Sequence, residues 1–197
     1  MSSIIIPSLI VTLSGEEQTM SSVTYEYSYK RKIYLFSEIN SEVASLVISQ
    51  LNALDDISHQ DITLVINSPG GSVSDGFAII DAVEAVSSDV RTVCTGIAAS
   101  MAAVILAAGT KGKRCITPNA QVMIHQPLGG VQGQASEITN MAEHILDVKE
   151  HVSGFLSEKT GRSKKKLITD MDRDYWMNAQ KAVEYGIADS IIKGGDV

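Results

Sequence analysis

Apolar residues recur along this chain in two alternating rhythms. Nearly unbroken apolar runs occupy residues 33–36, 62–66 and 90–95, and shorter ones fall at 114–116 and 121–125. Runs of that length between turn-forming residues predict buried strands. Between them, apolar positions return every three or four residues. Ile39, Val43, Leu46, Val47, Leu51 and Leu54 predict one amphipathic helix, and Phe77, Ile80, Val83 and Val86 a second. The run 97–108, rich in Ala and interrupted by Ser100, predicts a buried helix from about Ser100 to Ala108 that follows a strand end at Gly96. Such strand–helix alternation implies an α/β core with largely parallel strands.

The ends of the chain follow other patterns. Val23, Tyr25, Tyr27 and Tyr29 alternate with polar residues, which predicts a strand with one covered face. Residues 136–159 carry Ile138, Met141, Ile145, Val148, Val152 and Phe155 at spacings of 3, 4, 3, 4 and 3, a narrow seam on one long helix, with Gly161 as its stop. A thin stripe of this kind packs either on its own domain or on a partner. No internal repeat or low-complexity linker interrupts the sequence, so residues 1–197 are expected to form one domain.

Composition narrows the classes of function. The 197 residues are 44% hydrophobic but only 5% aromatic, so the core is aliphatic and alanine-packed. A formal net charge of −7 disfavours a nucleic-acid binder, which needs clustered Lys and Arg against phosphate. The one basic run, Lys164-Lys165-Lys166, fits a solvated helix start. Cys94 and Cys115 lie in apolar runs without CxxC spacing, as expected of buried reduced thiols. Residues 4–6 and 9–13 are apolar, but the first Lys is Lys30. That is a poor export signal and too short to span a membrane, so a cytoplasmic protein without membrane partners is expected.

Three segments could carry chemistry. In Gly96-Ile97-Ala98-Ala99-Ser100-Met101-Ala102, Ala98 and Ala102 stand where G-x-S-x-G elbows have glycine, and Ser100 falls at a helix N-terminus that favours negative charge. Ser100 is either a nucleophile or a simple N-cap. Ser68-Pro69-Gly70-Gly71-Ser72 follows a buried strand, and its glycines can expose backbone N–H groups to an oxyanion. Neither this loop nor residues 109–114 has the G-x-x-x-x-G-K-[ST] spacing of a nucleotide cradle, so any ATP dependence must come from a partner. His125 ends an apolar strand before a glycine-rich loop. His144 and His151, with Asp147 between them, fit a solvated helix face better than a metal site, and His59 falls in a polar loop.

Over about residues 33–192 these pieces resemble the ClpP family, the proteolytic subunit of ATP-dependent Clp protease. The resemblance is carried by Ile66-Asn67-Ser68-Pro69-Gly70-Gly71, by Ala98-Ala99-Ser100-Met101-Ala102, and by Pro118-Asn119 with Val122-Met123-Ile124-His125-Gln126-Pro127-Leu128-Gly129-Gly130. Gly133-Gln134-Ala135, Asp172-Arg173-Asp174-Tyr175-Trp176-Met177 and Ala182-Val183-Glu184-Tyr185-Gly186-Ile187-Ala188-Asp189 complete it in the same order. It implies a crotonase-like spiral of ββα units with a protruding handle helix over residues 136–160. It also implies Ser100 as nucleophile, His125 as general base and Asp174, chosen among Asp170, Asp172 and Asp174, as the third member. Gly71 and Met101 would supply the oxyanion-hole amides. Gly129, Gly130 and Gln134 would belong to a strand that pairs with extended substrate, and Arg173 to ion pairs between rings. No metal or cofactor is implied.

The implied partners are unfolded polypeptide, a AAA+ Clp ATPase, and copies of the chain in two stacked heptameric rings, alone or mixed with a paralogue. Residues 1–32 depart from the family, lacking its Pro-x-Val-Ile-Glu run, Arg-Gly-Glu-Arg loop and Asp-Ile-Tyr-Ser-Arg-Leu-Leu helix. Ile97 and Asn178 replace a polar residue and a Ser or Thr. The rival readings are a crotonase-like acyl-CoA enzyme, a Ser–Lys dyad using Lys111 or Lys113, and a non-catalytic ring subunit.

Overall fold

The computed structural model describes residues 8–13 and 16–192, so the apolar patch at 4–6 lies outside the described residues. The described residues begin with an antiparallel pair, β1 (Ser8–Leu13) and β2 (Glu16–Ser21), followed by helix α1 (Ser22–Lys30). Helix α1 replaces the strand predicted from Val23, Tyr25, Tyr27 and Tyr29. Local interactions favour the helix here. Ser21 Oγ accepts from Thr24 N–H at 3.1 Å, and Tyr25 stacks on Tyr29 one turn later with ring centres 5.6 Å apart.

Alternating strands and helices then build the core: β3 (Lys32–Leu35), α2 (Ser41–Ile57), β4 (Ile62–Ser68), α3 (Val73–Ala85), β5 (Val90–Ala99), α4 (Met101–Ala108) and β6 (Arg114–Ile116). With β9 (Ser190–Ile191) the strands lie in the order β3-β4-β5-β6-β9, all parallel. The predicted α/β class holds, with seven helices among the described residues. Helix α2 turns Ala44, Val47, Leu51 and Leu54 inward, while Leu46 stays exposed and Ile39 precedes the helix, bridged to Gly71. Arg31 locks this corner. Its buried guanidinium donates to the carbonyls of Leu54 (2.9 Å), Ser58 (2.8 Å) and Gln60 (2.9 Å), placing a cation at the carboxyl end of α2.

Strand β5 runs past its expected end at Gly96. A Cβ at Gly96 would stand 2.7 Å from Asn67 Oδ1, and that oxygen accepts from Ile97 N–H at 3.2 Å. With Gly96 at φ 72°, the strand bends instead of ending. Its first part, at Thr92 to Cys94, pairs with β6, and its last, Ile97 to Ala99, with β7 (Gln121–Ile124). Strand β8 (Tyr175–Asn178) adds antiparallel to β7. Past the bend the end of β5 exchanges β6 for β7 as its neighbour, while Ala98 stays in register with Ser68 of β4.

Helix α5 (Ala135–Thr160) splits the predicted seam in two. Val152 is buried and Val148 and Phe155 pack on the core, but Ile138 is 45% and Met141 38% exposed. Gly161, at φ 73°, ends the helix as its sequence position predicts. Helices α6 (Lys164–Asp170) and α7 (Ala179–Tyr185) close the fold. Lys164 pairs with Glu150 and Lys166 with Asp170, so the basic run is a solvated, ion-paired face. Asn178 Oδ1 caps α7 by accepting from Lys181 N–H at 2.9 Å, a task Ser or Thr performs equally. Cys94 and Cys115 are free and buried, and burial holds the Cys94 thiol up at about 12. Among the described residues no helix is long and apolar enough to cross a membrane.

Candidate active site

Ser100 stands between β5 and α4 with φ 55° and ψ −125°, a conformation that L-residues adopt only under constraint. The constraint comes from both sides. Ser100 N–H donates to Met123 O in β7 at 2.8 Å, and all eight residues of α4 are buried behind it. Although Ser100 precedes the helix, its hydroxyl makes no capping bond. Instead Ser100 Oγ lies 2.8 Å from His125 Nε2. The simple N-cap reading is thereby excluded.

His125 follows β7 directly, and β7 and β8 pair with Ile124 opposite Tyr175. Continued by one residue, that antiparallel register sets His125 opposite Asp174. Their side chains meet, with His125 Nδ1 3.5 Å from Asp174 Oδ1. The imidazole is 16% exposed and the carboxylate 60%. The other two aspartates of the cluster are placed differently. Asp170 accepts from Tyr185 Oη at 2.8 Å and from Lys166 Nζ at 2.6 Å, while Asp172 offers its backbone carbonyl to Gln126.

The glycine loop closes over the elbow. Ile39 N–H donates to Gly70 O at 2.8 Å and Ser72 N–H to Ile39 O at 2.9 Å. In this parallel bridge the intervening Gly71 turns its own N–H away from Ile39. A Cβ at Gly70 would lie 2.6 Å from Ala99 O and 2.7 Å from Ser100 Cβ, so only glycine lets the loop approach this closely. Buried Ser68 anchors the loop, donating to Ser37 O at 2.7 Å and accepting from Gly70 N–H at 3.1 Å. Gly71, Ser100, Met101 and His125 share a cavity of about 350 Å³ whose floor includes Val104, Val152, Leu156 and Met171.

The other expected residues fall around this centre. Residues 125–134 form no strand, so the strand expected around Gly129, Gly130 and Gln134 is not seen. Gln134 instead stands at the N-cap of α5, its N–H donating to Glu137 at 2.9 Å, and Gly129 and Gly130 are exposed. Arg173 is exposed beside Asp174. Lys113 Nζ lies 2.5 Å from Asp61 and 2.8 Å from Asp89, raising its affinity for a proton chiefly through the Asp61 hydrogen bond, so it is no base for Ser100. Lys111 borders a separate cleft at the carboxyl ends of α3 and α4. His151 packs edge-on against Phe77, ring centres 4.4 Å apart, and among the described residues no group of three or more His, Cys, Asp or Glu could hold a metal ion.

Sequence reasoning assigned no role to Gln126, Lys149 or Ser68. Gln126 and Ser68 sat in plain view within motifs, but nothing in a linear pattern marks which neighbours their side chains reach. A comparison with known families adds the last observation: the family model described as Clp protease matches residues 14–195.

Proposed function

Since the chain belongs to the Clp protease family and is a peptidase of that type, we propose that it is a serine endopeptidase working through Ser100, His125 and Asp174. The observation that carries this reading is the 2.8 Å contact between Ser100 Oγ and His125 Nε2 at a strained elbow whose hydroxyl caps nothing. His125 takes the Ser100 proton as the hydroxyl oxygen attacks the scissile carbonyl, and returns it to the leaving amine. Asp174 orients the imidazole and balances its positive charge. Met101 N–H, at the first turn of α4, and Gly71 N–H hold the tetrahedral oxygen, aided by the dipole of α4. Water then attacks the acyl-enzyme with His125 again as base, releasing the second product.

The glycine-rich stretch with Gly129, Gly130 and Gln134 receives extended polypeptide by backbone pairing, forming a strand only when substrate supplies the partner edge. Copies of the chain assemble into two stacked heptameric rings through the unpartnered part of α5, with Arg173 at the ring contact, and a AAA+ Clp ATPase delivers unfolded substrate. The exposed Ile138, Met141 and Leu146 support that role for α5. Charged substitutions at the exposed Ile138 and Leu146 are expected to split the assembly into single rings or smaller species, read by native mass. An unchanged mass refutes the α5 contact.

The catalytic reading is tested by a serine-reactive phosphonate probe with mass spectrometry on the assembled protein. The expected label sits on Ser100 and disappears in His125→Ala. Label on another residue, or full labelling without His125, overturns the assignment. Peptide hydrolysis by this chain alone, compared with mixed complexes, separates an active subunit from a scaffold.

A further inference from the structure

Gln126 is the first residue beyond the His125–Asp174 pair, and it replaces the ladder that ends there. Its N–H reaches past Arg173 to Met171 O at 2.7 Å. Its side-chain amide makes two further bonds of opposite sense. Nε2 donates to Asp172 O at 3.0 Å, and Oε1 accepts from Lys149 Nζ, on α5, at 2.9 Å. Lysine can only donate, so Lys149 requires the amide oxygen on its own side and leaves the NH2 group for the Asp172 carbonyl. The acceptor-only Asp172 carbonyl selects the same orientation, so without Lys149 a single side-chain contact would hold the amide.

The segment so held is the one that presents the acid. Asp174 lies between Asp172, tied through Gln126, and Tyr175, tied into β8 opposite Ile124. Its carboxylate is exposed and its 3.5 Å approach to Nδ1 is the looser of the two contacts that His125 makes. Small movements of this segment therefore act directly on that approach. We propose that Gln126 is a positioning residue for Asp174, with its amide held in the working orientation by Lys149. This rests on the reading of Asp174 as orienting acid. It makes the seating of α5 a condition for an aligned site, because Lys149 lies between the exposed part of that helix and its buried end at Val152 and Leu156.

The test is a set of substitutions in the full-length assembled protein: Lys149→Met, Lys149→Arg and the isosteric Gln126→Glu, each alone and with Asp174→Ala. Peptide hydrolysis supplies kcat and KM, and native mass and melting temperature report folding. Lys149→Met and Gln126→Glu are expected to lower kcat about tenfold with KM unchanged, since misplacing a catalytic group by a fraction of an ångström costs rate more than binding. Lys149→Arg restores most of kcat by keeping a donor. With Asp174→Ala the same substitutions are expected to have no further effect, the non-additivity of residues acting through one another. An undiminished tenfold loss in the Asp174→Ala background overturns the proposal, as does a Lys149→Met enzyme with normal kcat. A fully active Asp174→Ala enzyme overturns it too, and identifies the failure as that of the acid's role.

Discussion

The two halves of the site are built from different materials. The nucleophile half is made of core: Ser100 ends a strand bonded to Met123, stands before a fully buried helix, and is overlaid by a glycine loop that buried Ser68 anchors. The acid half is made of surface, where an exposed Asp174 follows a short turn held by the backbone and side chain of Gln126. A strained serine conformation persists only where dense packing leaves it no alternative. A carboxylate held by a few polar bonds is adjustable. Activity and stability should therefore be inseparable in the first half and separable in the second.

The largest test of that contrast lies in the acid half. Asp174→Asn is expected to lower kcat on the order of 10³–10⁴-fold while leaving the melting temperature unchanged, since the side chain is exposed. A marked fall in melting temperature would show that the loop is part of the core after all. In the nucleophile half, Gly70→Ala must adopt φ +95° and meet Ala99 O and Ser100 Cβ. Activity should fall on the order of 100-fold, together with a loss of about 2–4 kcal/mol measured by denaturant unfolding. Lost activity with unchanged stability would break the comparison. Ser68→Ala is a milder form of the same test: it strands the Gly70 N–H and should cost about 1–3 kcal/mol, with a smaller loss of kcat.

The smallest effect is a control remote from both halves. Burial alone would raise the Asp189 carboxyl, but hydrogen bonds from the Arg114 guanidinium (Nε at 2.9 Å) and backbone, with the Arg114 charge, outweigh it and hold Asp189 below the usual carboxylate range. A depressed carboxylate stabilises the fold above its unfolded titration range, and that contribution fades as pH falls through the folded one. Asp189→Asn should thus be less stable than the native protein at neutral pH. The gap should narrow on acidification, with kcat at neutral pH nearly unchanged. A gap that stays constant with pH would assign the loss to packing.

Much of the fold was legible because its elements declare themselves locally. The runs at 62–66 and 90–95, and the three- and four-residue spacing through Val47, Leu51 and Leu54, matched the strands and helix observed. The misreadings share one cause. Tyr25 and Tyr29 fit a strand by alternation and a helix by their spacing of four, and only the Ser21 cap and the stacked rings decide between them. Gly96 looks like a strand end in sequence, yet Asn67, thirty residues earlier, carries the strand through it. The seam at 136–159 gives no sign of where its own domain stops covering it.

The sequence by itself determined the alternation of strands and helices over residues 33–125, the elbow around Ser100, the glycine loop and the position of His125 at a strand end, because each depends on residues close together in the chain. Which aspartate faces the imidazole was a tertiary decision: Tyr185 and Lys166 engage Asp170, while the β7–β8 register brings Asp174 opposite His125. The joining of Gln126 to Lys149 and to the Asp172 carbonyl was decided in the same way. A hydrogen bond needs its partners within about 3 Å and correctly aimed, and that condition is met only when distant segments have packed.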